Sequence, residues 1–246
     1  MVNNIKYSII ITTYNYENFL KLCLDSCLQQ TKKLIYEIIL VNDGSTDNTE
    51  NILKSYNSPL LKCFTIPNCG IEAASNFGFK KARGTYLVRV DADDMLSPNY
   101  LEIMDSYIDD SKNKFYFPNY SIIDNDSKKI EIISLPIYNK EEVLERGDFL
   151  ATGTIYRKDY IEKVGFYSEC YKNTGLENYE LILNLLSLGV EGERIPEVLF
   201  FYRRHNLNMS ELKRDKIINY GIELFQRFNL GRYSTNKNHP YKLKIK

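Results

Sequence analysis

Short apolar, β-branched runs alternate with amphipathic stretches along the first half of the chain, and that alternation sets the expected fold. Residues 7–12 have the β-branched character of a central strand. A polar and aromatic loop, residues 13–18, leads to a stretch in which Phe19, Leu20, Cys23, Leu24, Cys27 and Leu28 share one stripe of a helix. Residues 36–41 predict a second strand that runs into a tight turn at Asn42-Asp43-Gly44-Ser45-Thr46-Asp47. Asp47 with Glu50 resembles a capping box for a helix through Tyr56. Residues 61–66 and 86–90 predict the third and fourth strands, separated by a loop and a short Ala- and Gly-rich helix over 68–82. Strand and helix in alternation predict a parallel sheet covered on both faces, whose ligands sit beyond the carboxyl ends of the strands.

The second half is less regular. Residues 115–120 read as a strand and 121–133 as a hairpin around Asp124-Asn125-Asp126-Ser127. Residues 141–147 suggest a short helix, and small residues at Ala151, Thr152 and Gly153 precede a strand-like run. Gly175 opens a helix that Gly189 ends, with Leu181, Leu185 and Leu188 on one face and Glu177, Glu180, Asn184 and Ser187 on another. Residues 193–202 finish in another β-type run, and Ser210 can cap a last helix over 211–228.

Composition narrows the function classes. The 246 residues fit one large α/β domain or a domain with a small appendage. Lys plus Arg and Asp plus Glu are both 32, so no global field favours a nucleic-acid partner. The N-terminus carries no signal-peptide pattern, and no apolar run reaches the roughly 20 residues of a membrane helix. Five scattered cysteines without zinc spacing predict reduced thiols, with Cys23 and Cys27 as small core residues, and the expectation is a soluble, cytoplasmic chain. The tail over 227–246 has Arg232, Lys237, Lys242, Lys244 and Lys246 but no acid. It reads either as a plain terminus or as a peripheral contact with anionic lipid at the inner face of a membrane.

The chemistry concentrates where the fourth strand ends, at Asp91-Ala92-Asp93-Asp94. Carboxylates clustered at a strand end resist burial unless positive charge sits among them. Hard Mg²⁺ or Mn²⁺ with a diphosphate supplies it, and a solvated acidic loop is the alternative. No phosphate-cradling Gly-rich loop is present. Asp43 could instead accept the imide hydrogen of a uracil, or simply form the turn before Gly44, while Tyr14 offers a face for stacking.

Four ordered motifs now carry a resemblance: Ser8-Ile9-Ile10-Ile11-Thr12-Thr13-Tyr14-Asn15, Val41-Asn42-Asp43-Gly44-Ser45-Thr46-Asp47, Asn68-Cys69-Gly70-Ile71-Glu72-Ala73-Ala74-Ser75-Asn76-Phe77-Gly78, and the run from Ala82 through Asp94. The chain resembles the family 2 glycosyltransferases, densely over roughly its first hundred residues and loosely over the next hundred. The resemblance implies a GT-A (Rossmann-like) α/β fold, a mostly parallel sheet flanked by helices with a C-terminal helical extension. Residues 1–207 would form the GT-A domain, with 1–95 as the nucleotide-binding half and 96–207 as the acceptor-binding half. The C-terminal helix and basic tail would occupy 208–246. By the same resemblance Thr12, Tyr14 and Asp43 would hold the base and Asp91 the ribose, with Ala92 between the acids. Asn68, Gly70 and Arg83 would line the nucleotide, although Arg83 also reads as a solvated helix-end cation. Asp93 would be the principal ligand of Mn²⁺ or Mg²⁺. The family's Tyr-Arg-x-His is kept at Tyr202-Arg203-Arg204-His205, where His205 could complete the metal shell and Arg203 could neutralise the departing diphosphate.

One departure matters. The family's Glu-Asp-x-(Asp/Glu) motif, whose Asp deprotonates the acceptor hydroxyl, is met here by Glu177-Asn178-Tyr179-Glu180. An amide is no general base near neutral pH. Glu177 or Glu180 takes over the proton, or Asn178 orients the acceptor while Asp94 abstracts it, or the transferase is slow or inactive. Glu177 is the favoured base. The expected function is a metal-dependent, inverting transfer from a nucleoside-diphosphate sugar, uridine-based, to a glycan or lipid-linked acceptor, as in surface polysaccharide synthesis. A nucleotide-sugar binding module without catalysis, and a nucleotidyltransferase of related architecture, are the alternatives.

Overall fold

A computed structural model describes residues 5–31, 36–146, 153–206, 208 and 212–236. Its centre is four parallel strands: β1 (Tyr7–Thr13), β2 (Tyr36–Asn42), β3 (Leu61–Thr65) and β4 (Tyr86–Asp91), in the spatial order β3-β2-β1-β4. The connecting helices are α1 (Glu17–Leu28), α2 (Thr49–Lys54) and α3 (Ile71–Lys81). β1 and β2 are buried along their whole length, which is why their sequences are continuous rather than alternating apolar runs. α3 lies tightly on β1, because Gly78 faces Ile10 where a Cβ would come within 2.6 Å of its Cγ2. Cys23 and Cys27 are buried core residues of α1 and are not disulfide-bonded. Asp47 bridges two helix starts instead of closing a capping box. It accepts the backbone N–H groups of Glu17 (2.9 Å) and Thr49 (3.0 Å), while Glu50 accepts the Thr65 hydroxyl (3.1 Å).

The second half extends the same sheet. After β4 come β5 (Met95–Leu96), α4 (Tyr100–Tyr107), β6 (Lys114–Ile123), β7 (Lys129–Ile133) and α5 (Lys140–Arg146). β8 (Ile155–Arg157), α6 (Lys158–Lys163), α7 (Glu177–Ser187), β9 (Glu191–Arg203) and α8 (Arg214–Arg227) follow. The sheet continues β4-β8-β6-β9-β5, with β7 paired to β6. β6 and β9 run parallel, but β8 is antiparallel to both β4 and β6, β5 to β9 and β7 to β6. The expectation of a mostly parallel sheet therefore holds for the first half alone, and the whole is mixed. The short strands β5 and β8 run against their neighbours; β8 falls on the strand-like run expected after Gly153, whereas β5 is two residues long and carries no period of its own.

The C-terminal helix α8 packs on α7. Ile217, Tyr220, Leu224 and Phe225 are buried in the main core, and Phe225 stacks on Tyr179. Burying such side chains contributes about 1.5–3 kcal/mol each. The proposed cap Ser210, the small residues Ala151 and Thr152, and the tail lysines Lys237, Lys242, Lys244 and Lys246 lie outside the described residues.

At the amino end of the parallel strands Glu37 is buried. Burial alone would raise its pKa. Hydrogen bonds from Lys62 (2.9 Å), the Arg83 backbone (2.7 Å) and guanidinium (2.9 and 3.0 Å), and Ser8 (2.9 Å) instead hold it below the ordinary carboxylate value. A carboxyl depressed on folding stabilises fully above its unfolded pKa of about 4.3, and that stability is lost as pH falls through the lower folded value. Glu37→Gln is expected to unfold about 1–3 kcal/mol more easily than wild type at pH 7 in urea. That gap should close as pH drops below about 4. A gap that stays constant across this range contradicts the assignment.

Candidate active site

Chain connection reverses direction between β1 and β4, and ligands of such sheets sit at that reversal, beyond the carboxyl ends. The register there pairs Thr12 with Asp91. The hydroxyl of Thr12 is buried without a hydrogen-bond partner among the described residues. Tyr14 follows at the mouth, 45% exposed. Next to it Asn15, at φ 60°, accepts the Thr46 N–H (2.7 Å) and so ties the first loop to the second.

Asp43 closes one wall. Its carboxylate is buried and accepts the backbone N–H groups of Cys69 (2.7 Å) and Gly70 (3.0 Å), the Asn68 amide (3.3 Å) and the Cys69 thiol (3.3 Å). Asn68 and Gly70 thus belong to the same wall as Asp43. Gly44, at φ +70°, is needed because a Cβ would sit 2.8 Å from the Asn68 nitrogen. Burial and the Asp43 carboxylate push the Cys69 thiol up to about 11, which keeps it protonated.

The acidic loop is anchored from inside. Arg203 is completely buried, its backbone N–H donating to Asp94 Oδ1 (2.8 Å). Its guanidinium donates to the carbonyls of Asp93 (2.8 Å), Asp124 (2.6 Å) and Asn125 (3.1 Å), and to the Ser127 hydroxyl (3.0 Å). It also lies over the Phe19 ring, 5.0 Å from the centroid. Burial lowers the Arg203 pKa against the pull of Asp94 and Asp93. The expectation that Arg203 meets a diphosphate is thereby corrected: all its donor directions are spent on the β6–β7 turn and the acidic loop. Asp94 is buried against the same arginine's backbone, which leaves it poorly placed as a base.

Asp93 points the other way. Its Oδ2 is 3.0 Å from His205 Nε2, and the imidazole is stacked on Phe19 with centroids 4.9 Å apart. Among the described residues no group of three or more His, Cys, Asp or Glu converges as a complete metal cage. The Asp93–His205 pair nevertheless has the donor chemistry of a partial site. Carboxylate oxygen and imidazole nitrogen both suit Mn²⁺, and such ions commonly complete their shell with phosphate oxygens. Ala92 is buried between the two acids.

Deeper in the cleft Arg89 is paired twice, to Glu177 Oε1 (2.8 Å) and to Asp91 (2.9 Å). Burial pushes the Asp91 carboxyl up to about 6 against the pull of Arg89, with Asp93 and Glu177 adding to the rise. Glu177 Oε2 is buried with no hydrogen-bond partner among the described residues. Behind it Glu72 is raised by burial and by Glu177, although it accepts the N–H groups of Asn173 (2.8 Å) and Thr174 (2.7 Å). The Tyr167 hydroxyl donates to Asn178 Oδ1 (2.5 Å).

Two expected residues are not brought here. Arg83 sits at the opposite end of the sheet on Glu37. Glu180 faces α8, accepting the Tyr220 hydroxyl (2.7 Å) and Arg227 Nη1 (2.6 Å). Conversely Arg89, Glu72, Tyr167, Phe19 and Asn208 join the site without having been singled out. Arg89 alone carried a signal: a charge inside a buried strand needs a partner, and Asp91 two residues on shares its face.

The glycosyl transferase family 2 model matches residues 8–165. The chain belongs to glycosyl transferase family 2. An uncharacterized glycosyltransferase of Rickettsia felis is 32% identical over 191 residues, covering 73% of this chain and 31% of that protein. Glycosyltransferase GlyA of Streptococcus pneumoniae is 31% identical over 179 residues, covering 72% of this chain and 23% of that protein. The chain therefore spans about a third or less of the length of these two relatives. Residues 1–349 of S. aureus TarS, solved in complex with UDP-GlcNAc, superpose with a TM-score of 0.70 at 18% identity. That match covers 98% of this chain and 76% of TarS 1–349, and shows a shared GT-A fold.

Because four acceptors converge on one guanidinium, Arg203→Lys is expected to cost about 3 kcal/mol in urea denaturation. A loss below about 1 kcal/mol would show that the loop does not depend on it.

Proposed function

We propose that this family 2 domain transfers a sugar from a uridine-diphosphate sugar to a hydroxyl of a glycan or lipid-linked acceptor with inversion, assisted by Mn²⁺ or Mg²⁺. The observation that carries the reading is the Asp93–His205 pair, Oδ2 3.0 Å from Nε2 at the sheet's reversal point, while Arg203 holds the loop from behind. The UDP-GlcNAc complex of TarS, which shares the fold, supports the donor class. Asp93 and His205 would hold the cation. When bound, it would stabilise charge on the leaving diphosphate as a Lewis acid.

The residues of the chain divide the remaining work. Tyr14 offers its exposed ring to the base, and Asp43 accepts the base N–H by giving up the Asn68 amide contact at 3.3 Å. Thr12 and Asp91 face the ribose at matched register. The unpartnered oxygen Oε2 of Glu177 takes the acceptor's proton as the acceptor oxygen attacks the anomeric carbon. The bond to the diphosphate breaks on the opposite side, its electron pair going to the leaving group. Arg89 fixes Glu177 through Oε1. Asn178, its carbonyl taken by Tyr167, orients the acceptor and cannot itself accept the proton. A place in surface polysaccharide synthesis, a cytoplasmic location and contact of the basic tail with a membrane face belong to the same proposal. No described helix is long and apolar enough to cross a membrane.

Asn178 also supports a second reading, a nucleotide-sugar binding module without turnover. Transfer assays over a panel of UDP-sugars and acceptors, with and without Mn²⁺, separate the two. Glu177→Gln is expected to lose about 10²–10⁴-fold in transfer while binding UDP normally. Arg83→Ala should leave UDP affinity unchanged. Unaltered transfer by Glu177→Gln removes it as the base. UDP-sugar binding with no product from any acceptor favours the binding module.

A further inference from the structure

Asn208 lies just beyond β9, almost fully buried, and none of its chemistry is explained by packing alone. Its Oδ1 accepts the His205 backbone N–H at 2.6 Å, and its Nδ2 donates to the Arg203 carbonyl at 3.1 Å. A backbone N–H can only donate and a carbonyl can only accept, so the amide is satisfied in one orientation. In that orientation Nδ2, not the oxygen, stands 3.4 Å from Asp93 Oδ2 and 3.5 Å from His205 Nε2. The Asn208 N–H also donates to the His205 carbonyl (3.2 Å).

We propose that Asn208 is a positioning residue that presets Asp93 and His205 for a divalent cation without itself being a ligand. The inference rests on the reading of that pair as the cation site. Three features support it. The amide fixes the backbone at His205, and with it the direction in which the imidazole leaves the chain. Its second hydrogen faces the Asp93 oxygen that meets His205, so the carboxylate is held without adding charge. The Arg203 carbonyl to which it is tied belongs to the residue that anchors the acidic loop, so both donors are fixed to one frame. Partners that orient metal ligands commonly carry about 10- to 100-fold in metal affinity.

Asn119 supplies a matched control. It is equally buried, and its amide likewise bridges the backbone, donating to the Pro196 carbonyl (2.7 Å) and accepting the Leu135 N–H (2.8 Å) within the sheet. Mn²⁺ binding is read by electron paramagnetic resonance in the presence of UDP, on wild type, Asn208→Ala and Asn119→Ala, each confirmed folded by circular dichroism. Asn208→Ala is expected to bind Mn²⁺ at least tenfold more weakly, and Asn119→Ala like wild type. Equal affinity of Asn208→Ala and wild type overturns the inference, as does an equal loss in both variants, which would mark general loosening. Wild-type protein that takes up no Mn²⁺ removes the cation reading itself, and this inference with it.

Discussion

A carboxylate taken out of water costs several kcal/mol unless positive charge or donors meet it, and this protein crowds Asp91, Asp93, Asp94, Glu72 and Glu177 around one end of its sheet. Two buried guanidinium groups offset that cost. Arg89 rises from the strand that ends in the acids and clamps Asp91 to Glu177. Arg203 arrives from the other half of the sheet, because β9 runs beside β6 as far as Ile123 and there delivers its last residue under the acidic loop. Both arginines approach from within the protein. The Asp93 carboxylate meets His205 instead, and the second oxygen of Glu177 is buried without a hydrogen-bond partner among the described residues. Carboxylates outnumber guanidinium groups in this cluster, and the surplus negative charge supports the cation-assisted reading.

The parallel half of the fold was legible because a strand buried on both faces leaves a largely apolar run, as residues 7–12, 36–41 and 86–90 do, while the partly exposed β3 at 61–66 completes the strand–helix alternation. Of the antiparallel strands, the β6–β7 hairpin and β8 left local signals, but β5, two residues long and held by β9, left none. In the site, motif spacing located residues along the chain but not the direction of their side chains. Arg83 could have been placed by topology: a helix returning to a parallel strand ends at that strand's amino edge, away from the ligand side. Glu180 lies one turn from Glu177 but meets α8, a contact no local pattern announces. Arg203 was read as facing outward because the motif containing it also contains His205. Only the buried carbonyls of Asp93, Asp124 and Asn125 show that it turns inward.

Asn178 concentrates the functional question. With its carbonyl held by Tyr167, the amide is fixed beside a glutamate whose one oxygen is paired and whose other is not. In the proposed function that division would let one residue orient an acceptor and its neighbour receive a proton, a different partition from a single aspartate doing both. The Arg89 contact takes Oε1 of Glu177 and leaves the buried Oε2 without a hydrogen-bond partner among the described residues, which is the oxygen the proposed function uses.

In the proposed function an activated sugar is gripped through an ion seated between Asp93 and His205. A crystal grown with UDP and Mn²⁺, with anomalous data collected at the manganese edge, tests it most directly. One manganese peak is expected within bonding distance of both Asp93 and His205 and touching the diphosphate. A nucleotide bound with no peak beside Asp93, or a peak seated instead between Glu72 and Glu177, would contradict it.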